Sequence, residues 1–462
     1  MSRSLAASSV LILLAASGCD QAPADHLDGD LAVEKGLAPA LKISLETELP
    51  GDCRDNDGDG AVDEGFAFKA DCKKNPHDLD GSSGGKIVDT DPGGEIVPRP
   101  GDDPYGKTLA VGSTNANAVF LIEGLVTGDI ERVASVTFQG ARGDDVGTGL
   151  VSSGGSHWLV GAPGTGTTTL LDGSRSGTYS LARDADDAWR GRGDSGATLA
   201  AGDIDGDGHS DAVVGAPDSD LATVVFGPFS SRSSTVSIPG ISAAAGMSSS
   251  ALVADLDGDG FDDVVLGSSD GAGAVSVYAG SDLARGRVGA VATWTGEGGR
   301  DAAGSAVALA GDQTGDGVAD LWIGAPGHDG GDGAVYLVSG AARGGSLAGA
   351  TAILVGVEDS SLGASLAGGH DLDGDGFDDM VVGAPDEQDE FGRVGGVWVL
   401  FGPFRGDASV GDLGLRFSGN RDGDALGSAL CIGPDADGDG LLEVTVAAAG
   451  AGEVYVIRGA TF

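Results

Sequence analysis

The chain has 462 residues, of which 85 are glycine, with 71 acidic against 26 basic side chains, a net charge of −45 and only 5% aromatics. Such an acidic chain repels phosphate at long range, which excludes nucleic acid as a partner and anionic lipid as a docking surface. Its glycine content reads as many tight turns, and few segments carry the pattern of a long amphipathic helix. The acid is gathered in short loops of fixed spacing, as cation ligands are, and is not spread as a solvated coat.

At the N-terminus, Arg3 precedes an apolar run over 5–17 and then Gly18 and Cys19, the order of an export signal. The run is too short to span a bilayer. Ala16, Ser17, Gly18 and Cys19 resemble a lipobox, with Ala16 where Leu is usual. Residues 1–18 are therefore expected to be a lipoprotein signal peptide and Cys19 the lipidated residue. The protein is expected to be exported to a bacterial envelope and held by its lipid anchor alone, at the outer membrane or cell surface in preference to the inner membrane. An ordinary secretory signal would place it outside the cytoplasm as well. Residues 19–50 read as a flexible tether.

Residues 51–80 form a separate acidic segment. Asp55, Asp57, Asp59 and Asp63 occupy positions 1, 3, 5 and 9 of a short loop, with the carbonyl of Ala61 at position 7. Cys53 and Cys72 flank the segment and are expected to pair, which an oxidising compartment permits. The segment resembles a cysteine-flanked, Asp-rich metal-binding motif of bacterial surface proteins, and calcium is its expected occupant.

From residue 86 onward the chain repeats. Gly161, Gly215, Gly267, Gly324 and Gly383 each follow a short apolar run, at intervals of 52–59 residues, and weaker copies at 110–113 and 445–450 complete seven units. Each unit reads as an apolar strand, a loop, a strand ending near Gly-Ala-Pro, a turn, and two further strands. The fourth strand often carries an aromatic residue, as at Phe138, Trp189, Trp294 and Phe417. Four short antiparallel strands per unit predict an all-β, seven-bladed β-propeller over 86–462. Solenoid and β-roll repeats are much shorter. In related propellers a strand from one terminus completes the blade formed by the other, and by that likeness 86–90 is expected to supply the outer strand beside 453–459.

The blocks YGKTLA (105–110) and GASLAGG (363–369), the acidic loops and the recurring Gly-Ala-Pro resemble the FG-GAP repeats of integrin α-subunit heads, over about 94–462. The opening Phe-Gly pair is mostly replaced, by Tyr105 and Gly106 in one copy and by Leu362 and Gly363 or Leu426 and Gly427 in others. The resemblance implies the blade fold and names no partner.

The chemistry lies in the loops. Asp203, Asp205, Asp207 and Asp211 stand at positions 1, 3, 5 and 9, with the His209 carbonyl at position 7. Glycines at positions 4 and 6 let the chain wrap so that alternate side chains converge, and hard oxygen ligands at this spacing select Ca²⁺ over transition metals. The same arithmetic assigns Asp255, Asp257, Asp259, Phe261 and Asp263, and Asp371, Asp373, Asp375, Phe377 and Asp379. It also assigns Asp312, Thr314, Asp316, Val318 and Asp320, and Asp435, Asp437, Asp439, Leu441 and Glu443. The neutral Thr314 predicts the weakest of these sites. The first two units lack the loop, so calcium is expected only in the later blades.

No nucleophile with a base, paired general acids or histidine cluster is legible, so no catalytic residue is assigned. Arg-Gly-Asp at 142–144, 192–194 and 405–407 reads as the repeat's own turn. Trp158, Trp322 and Trp398 read as blade packing, and Cys431 as a small buried hydrophobe. The function expected is calcium-stabilised binding or adhesion at the cell surface, to a protein or glycan. The alternatives are a structural envelope protein without a discrete ligand, and a hydrolase or lyase with its site on one propeller face.

Overall fold

A computed structural model describes residues 108–462 except 115, 124–127, 155, 241–246, 390 and 434–440, and the backbone of four short strands at Phe68–Ala70, Pro76–Leu79, Gly85–Val88 and Ile96–Pro98. Seven sheets of four to six strands follow one another as the blades of a propeller. Their innermost strands are Ile96–Pro98, Leu150–Ser152, Thr198–Gly202, Met247–Ala254, Ala306–Gly311, Ser365–His370 and Leu426–Ile432. Each of these neighbours the next, and the seventh neighbours the first. In blade six the chain runs Ser365–His370, Asp379–Ala384, Gly396–Leu400 and Gly414–Ser418, each strand antiparallel to the one before.

The second strand of a blade lies between neighbouring blades and is covered on both faces. Asp211–Ala216, Asp263–Ser268, Asp320–Ala325 and Asp379–Ala384 are buried at every position. They therefore read as continuous apolar runs with no alternation. A contact between blades explains the glycine near the end of three of these runs, while Gly215 in the other faces the Ser248 side chain. A Cβ at Gly324 would lie 2.1 Å from the carbonyl oxygen of Gly363, which opens the next blade with φ +87°. The same approach joins Gly161 to Gly196, Gly267 to Gly304 and Gly383 to Gly427. The Gly363 amide in turn donates to the Gly383 carbonyl (3.0 Å). Repeated glycine is thus a packing requirement at the seam as well as a turn signal.

Gly85–Val88 pairs antiparallel with Glu453–Ile457, Lys86 opposite Tyr455, so the N-terminal segment supplies the outer strand of the last blade as expected. Blades also receive a fifth strand that the four-strand reading did not include. Gly177–Ser180, Gly344–Ser346 and Ala408–Ser409 each pair in parallel with the outer strand of the preceding blade, and Gly128–Asp129 does so on Gly85–Val88. These pieces are two to four residues long, too short for a periodic signal. Within the segment taken as 51–80, Phe68–Ala70 and Pro76–Leu79 pair with each other, and the second lies parallel to Gly414–Ser418 of blade six.

Trp158 and Trp322 are fully buried and Trp398 nearly so, as packing residues should be, and Trp322 meets Phe404 edge-on at 4.9 Å. Cys431 is buried in the innermost strand of blade seven.

Candidate cation loops and the opposite face

The connection between first and second strands is a nine-residue loop in blades three to six. The first carboxylate organises it. In blade three, Asp203 accepts from the Asp207 amide through Oδ1 (3.0 Å) and from the Gly208 amide through Oδ2 (2.9 Å). Asp255 does the same for Gly258, Asp259 and Gly260, Asp312 for Gly315, Asp316 and Gly317, and Asp371 for Gly374, Asp375 and Gly376. The amides at His209, Phe261, Val318 and Phe377 donate to the position-5 carboxylate. Gly206 and Gly208 have φ of +71° and +82°, where a side chain would be strained.

The last carboxylate begins the buried second strand and anchors the loop to the blade. Asp211 accepts from the amides of Ile204 (2.9 Å), Asp205 (3.2 Å) and Gly227 (2.6 Å). Asp379 likewise accepts from Leu372 and Gly402. Burial pushes Asp211 and Asp263 up to about 7 and Asp379 up to about 6, and raises Asp320 as well.

Three of the loops bring carboxylate oxygens within 4.8 Å of one another: Asp203, Asp205 and Asp211; Asp255, Asp257 and Asp259; Asp371, Asp373 and Asp379. Oxygen-only donors at this separation, including carboxylates that burial disfavours in the charged state, fit a hard divalent cation. In the fourth loop the Thr314 hydroxyl faces Asp320 Oδ1 at 3.4 Å, and Ser339 donates to Asp316 Oδ2 (2.9 Å). Of the blade-seven set, Leu441 and Glu443 are described, whereas Asp435, Asp437 and Asp439 lie outside the described residues. So do Asp55, Asp57, Asp59, Ala61, Asp63, Cys19, Cys53 and Cys72.

Because strands alternate in direction, the turns between second and third strands lie on the opposite face. There an open pocket of about 770 Å³ is lined by Glu297, Arg300, Asp301, His328 and Asp329 between blades four and five. The buried Tyr336 joins two of these residues, donating to Glu297 Oε1 (3.0 Å) and lying 2.9 Å from His328 Nδ1, which is 3.8 Å from Asp301 Oδ2. Sequence reading missed this set because its members come from two blades. Asp301 takes the amides of Glu297 and Gly298, and Asp424 those of Asn420 and Arg421. Asp144 takes the amide of Ala141 (2.7 Å), so the first Arg-Gly-Asp is a turn of this kind; Asp194, in the second, takes the Asp218 amide (2.8 Å).

The FG-GAP repeat model matches residues 195–236, 248–278 and 362–400. The chain is 33% identical over 210 residues to integrin alpha-5 of Xenopus laevis, covering 41% of this chain and 20% of that protein. It is 40% identical over 85 residues to integrin alpha-M of Mus musculus, covering 18% of this chain and 7% of that protein. It therefore spans a fifth or less of the length of these relatives. Hydrazine synthase of Kuenenia stuttgartiensis aligns over 86% of this chain and 99% of that chain at 13% identity with a TM-score of 0.48, a likeness too loose to carry a conclusion. Among the described residues no helix is long and apolar enough to cross a membrane. Three matched FG-GAP repeats, similarity to integrin α chains and seven consecutive blades together make this an integrin-α-like, seven-bladed β-propeller that carries FG-GAP repeats.

Proposed function

We propose that this protein is a calcium-binding, surface-held recognition module, lipidated at Cys19, whose propeller binds a protein or glycan partner without catalysing a reaction. The observation that carries the reading is the recurrence of one carboxylate geometry in four successive blades. Calcium would be held by Asp203, Asp205, Asp207 and Asp211 and by their counterparts, with the position-7 carbonyl completing each set. Its charge would neutralise carboxylates that otherwise repel one another. The integrin α relatives favour binding or adhesion.

The pocket at Glu297, Asp301 and His328 favours a discrete ligand over a purely structural role. Tyr336 is fully buried and burial raises its hydroxyl well above its ordinary value, so it stays protonated and serves as a hydrogen-bond donor, not a nucleophile. The test is retention of the calcium-loaded protein on immobilised extracellular proteins and glycans. Binding that disappears with chelator and with Asp301→Ala supports the reading. Retention indifferent to both, or turnover of a bound glycan, contradicts it.

A further inference from the structure

At two of the seams a carboxylate of one blade ties down the candidate cation loop of the blade before it. The residue before the first loop carboxylate faces the residue before the last carboxylate of the next blade. At the seam of blades three and four these are Gly202 and Asp262; a Cβ at Gly202 would lie 2.4 Å from Asp262 Oδ2. Asp262 holds the Asp203 backbone on both sides of its Cα, accepting from the Asp203 amide through Oδ2 (2.6 Å) and donating its own amide to the Asp203 carbonyl (3.0 Å). The Phe261 ring also covers Gly206 of the preceding loop, 3.1 Å from where its Cβ would be.

At the seam of blades five and six the pair is Gly311 and Asp378. A Cβ at Gly311 would lie 1.8 Å from Asp378 Oδ2. Gln313 spans the seam as well: its Nε2 donates to the Asp378 carbonyl (2.7 Å) and its Oε1 accepts from the Phe404 amide (3.3 Å). Between these two seams, the blade-four and blade-five positions are Ala254 and Ala319, with no carboxylate to clamp the preceding loop. A Cβ at Gly258, the counterpart of Gly206, would meet nothing within 4 Å. Blades six and seven carry His370 and Leu442 at these positions. Glycine thus occurs where the next blade presents Asp, and a side chain occurs where it does not.

We propose that Asp262 and Asp378 are positioning residues that tie the cation loops into two pairs, blade three with four and blade five with six, so that filling one loop raises its partner's affinity. The proposal rests on the reading that these loops bind calcium. Asp262 adjoins Asp263, whose Oδ1 accepts from the Gly280 amide (2.9 Å). A cation held by Asp255, Asp257 and Asp259 that also draws in Asp263, which stands outside that group, would fix Asp262 beside it, and with it the backbone of Asp203, the first ligand of the neighbouring loop. The second cation then meets a loop already ordered, which is positive coupling through shared ordering. A coupling of ordinary size makes the second affinity about fivefold higher or more.

The test uses the full chain, freed of metal by chelator and titrated with Ca²⁺, with the calcium-induced rise in melting temperature compared among variants. Asp211→Asn and Asp263→Asn disable loops of one pair, and each alone is expected to lose most of what the double variant loses. Asp263→Asn with Asp320→Asn crosses the unpaired seam and is expected to be additive. Asp262→Ala is expected to make the first pair additive. Should that variant fail to fold, Ala254→Gly with Ala319→Asp is expected to create non-additivity between Asp263→Asn and Asp320→Asn. Additive losses for Asp211→Asn and Asp263→Asn in a chain that still binds calcium overturn the pairing alone. A chain that binds no calcium overturns the pairing and the calcium reading together.

Discussion

Blades two and six share a seam geometry and differ in what joins their first two strands. In blade two the join is a tight turn in which Ser153 donates to the His157 carbonyl (3.0 Å) and His157 to the Gly154 carbonyl (3.1 Å). In blade six it is a nine-residue loop whose amides are taken up by Asp371, Asp373, Asp375 and Asp379. Blade two is complete as backbone; blade six gathers carboxylates that repel one another until a cation is added. The propeller is therefore expected to depend on calcium unevenly around its ring.

The largest effect should come from removing calcium. One loop held at a hundred times its dissociation constant contributes about 2.7 kcal/mol, so four such loops together amount to roughly 10 kcal/mol. Hydrogen exchange after chelation should accelerate in Asp211–Ala216, Asp263–Ser268 and Asp379–Ala384 while His157–Ala162 of blade two stays protected. Uniform acceleration around the ring would erase the contrast. Next in size, Gly161→Val in blade two and Gly383→Val in blade six should each cost about 3 kcal/mol in chemical denaturation, with or without calcium. Both glycines abut a backbone carbonyl of the next blade that cannot move aside. A cost that depends on calcium would show the seam and loop to be one device.

A smaller effect should appear with pH. Asp211, Asp263 and Asp379 are raised to about 7, 7 and 6, so in the calcium-free fold they keep a proton that the unfolded chain has released. Their contribution is complete below about pH 4, the unfolded value, and is lost as pH rises through about 6 to 7. The melting temperature without calcium should fall across that window, and calcium should flatten the fall because the cation replaces the proton. A calcium-free melting temperature that rises from pH 4 to 7 would contradict the assignment. Smallest is Trp398→Phe, which removes the indole donor to Glu387 (2.9 Å) but leaves Arg416 beside that carboxylate, at about 1–2 kcal/mol by denaturant unfolding.

Most of the architecture was legible because the propeller repeats locally. Strand, loop and glycine recur within each unit, and the 1, 3, 5, 9 spacing from Asp203 to Asp211 is contained in nine residues. Even the closing strand at 86–90 could be placed, though by likeness to related propellers, in which a strand from one terminus completes the blade formed by the other, and not from its own residues. What escaped was whatever lies between blades. Asp262 read as one more acidic residue, and only its hold on Asp203 gives it a role. His328, Tyr336 and Glu297 come from two units and share no motif. The parallel pieces such as Gly344–Ser346 are set by the neighbouring edge and not by their own sequence.

The most direct measurement is calorimetric titration of Ca²⁺ into the chelator-treated protein, followed by thermal melts of the free and loaded forms. Saturable binding at several sites, with a marked rise in melting temperature that Asp211→Asn and Asp379→Asn each reduce, is the result predicted. An absence of binding heat together with superimposable melts would contradict it, and the loops would then be Asp-Gly turns on a propeller that stands without metal.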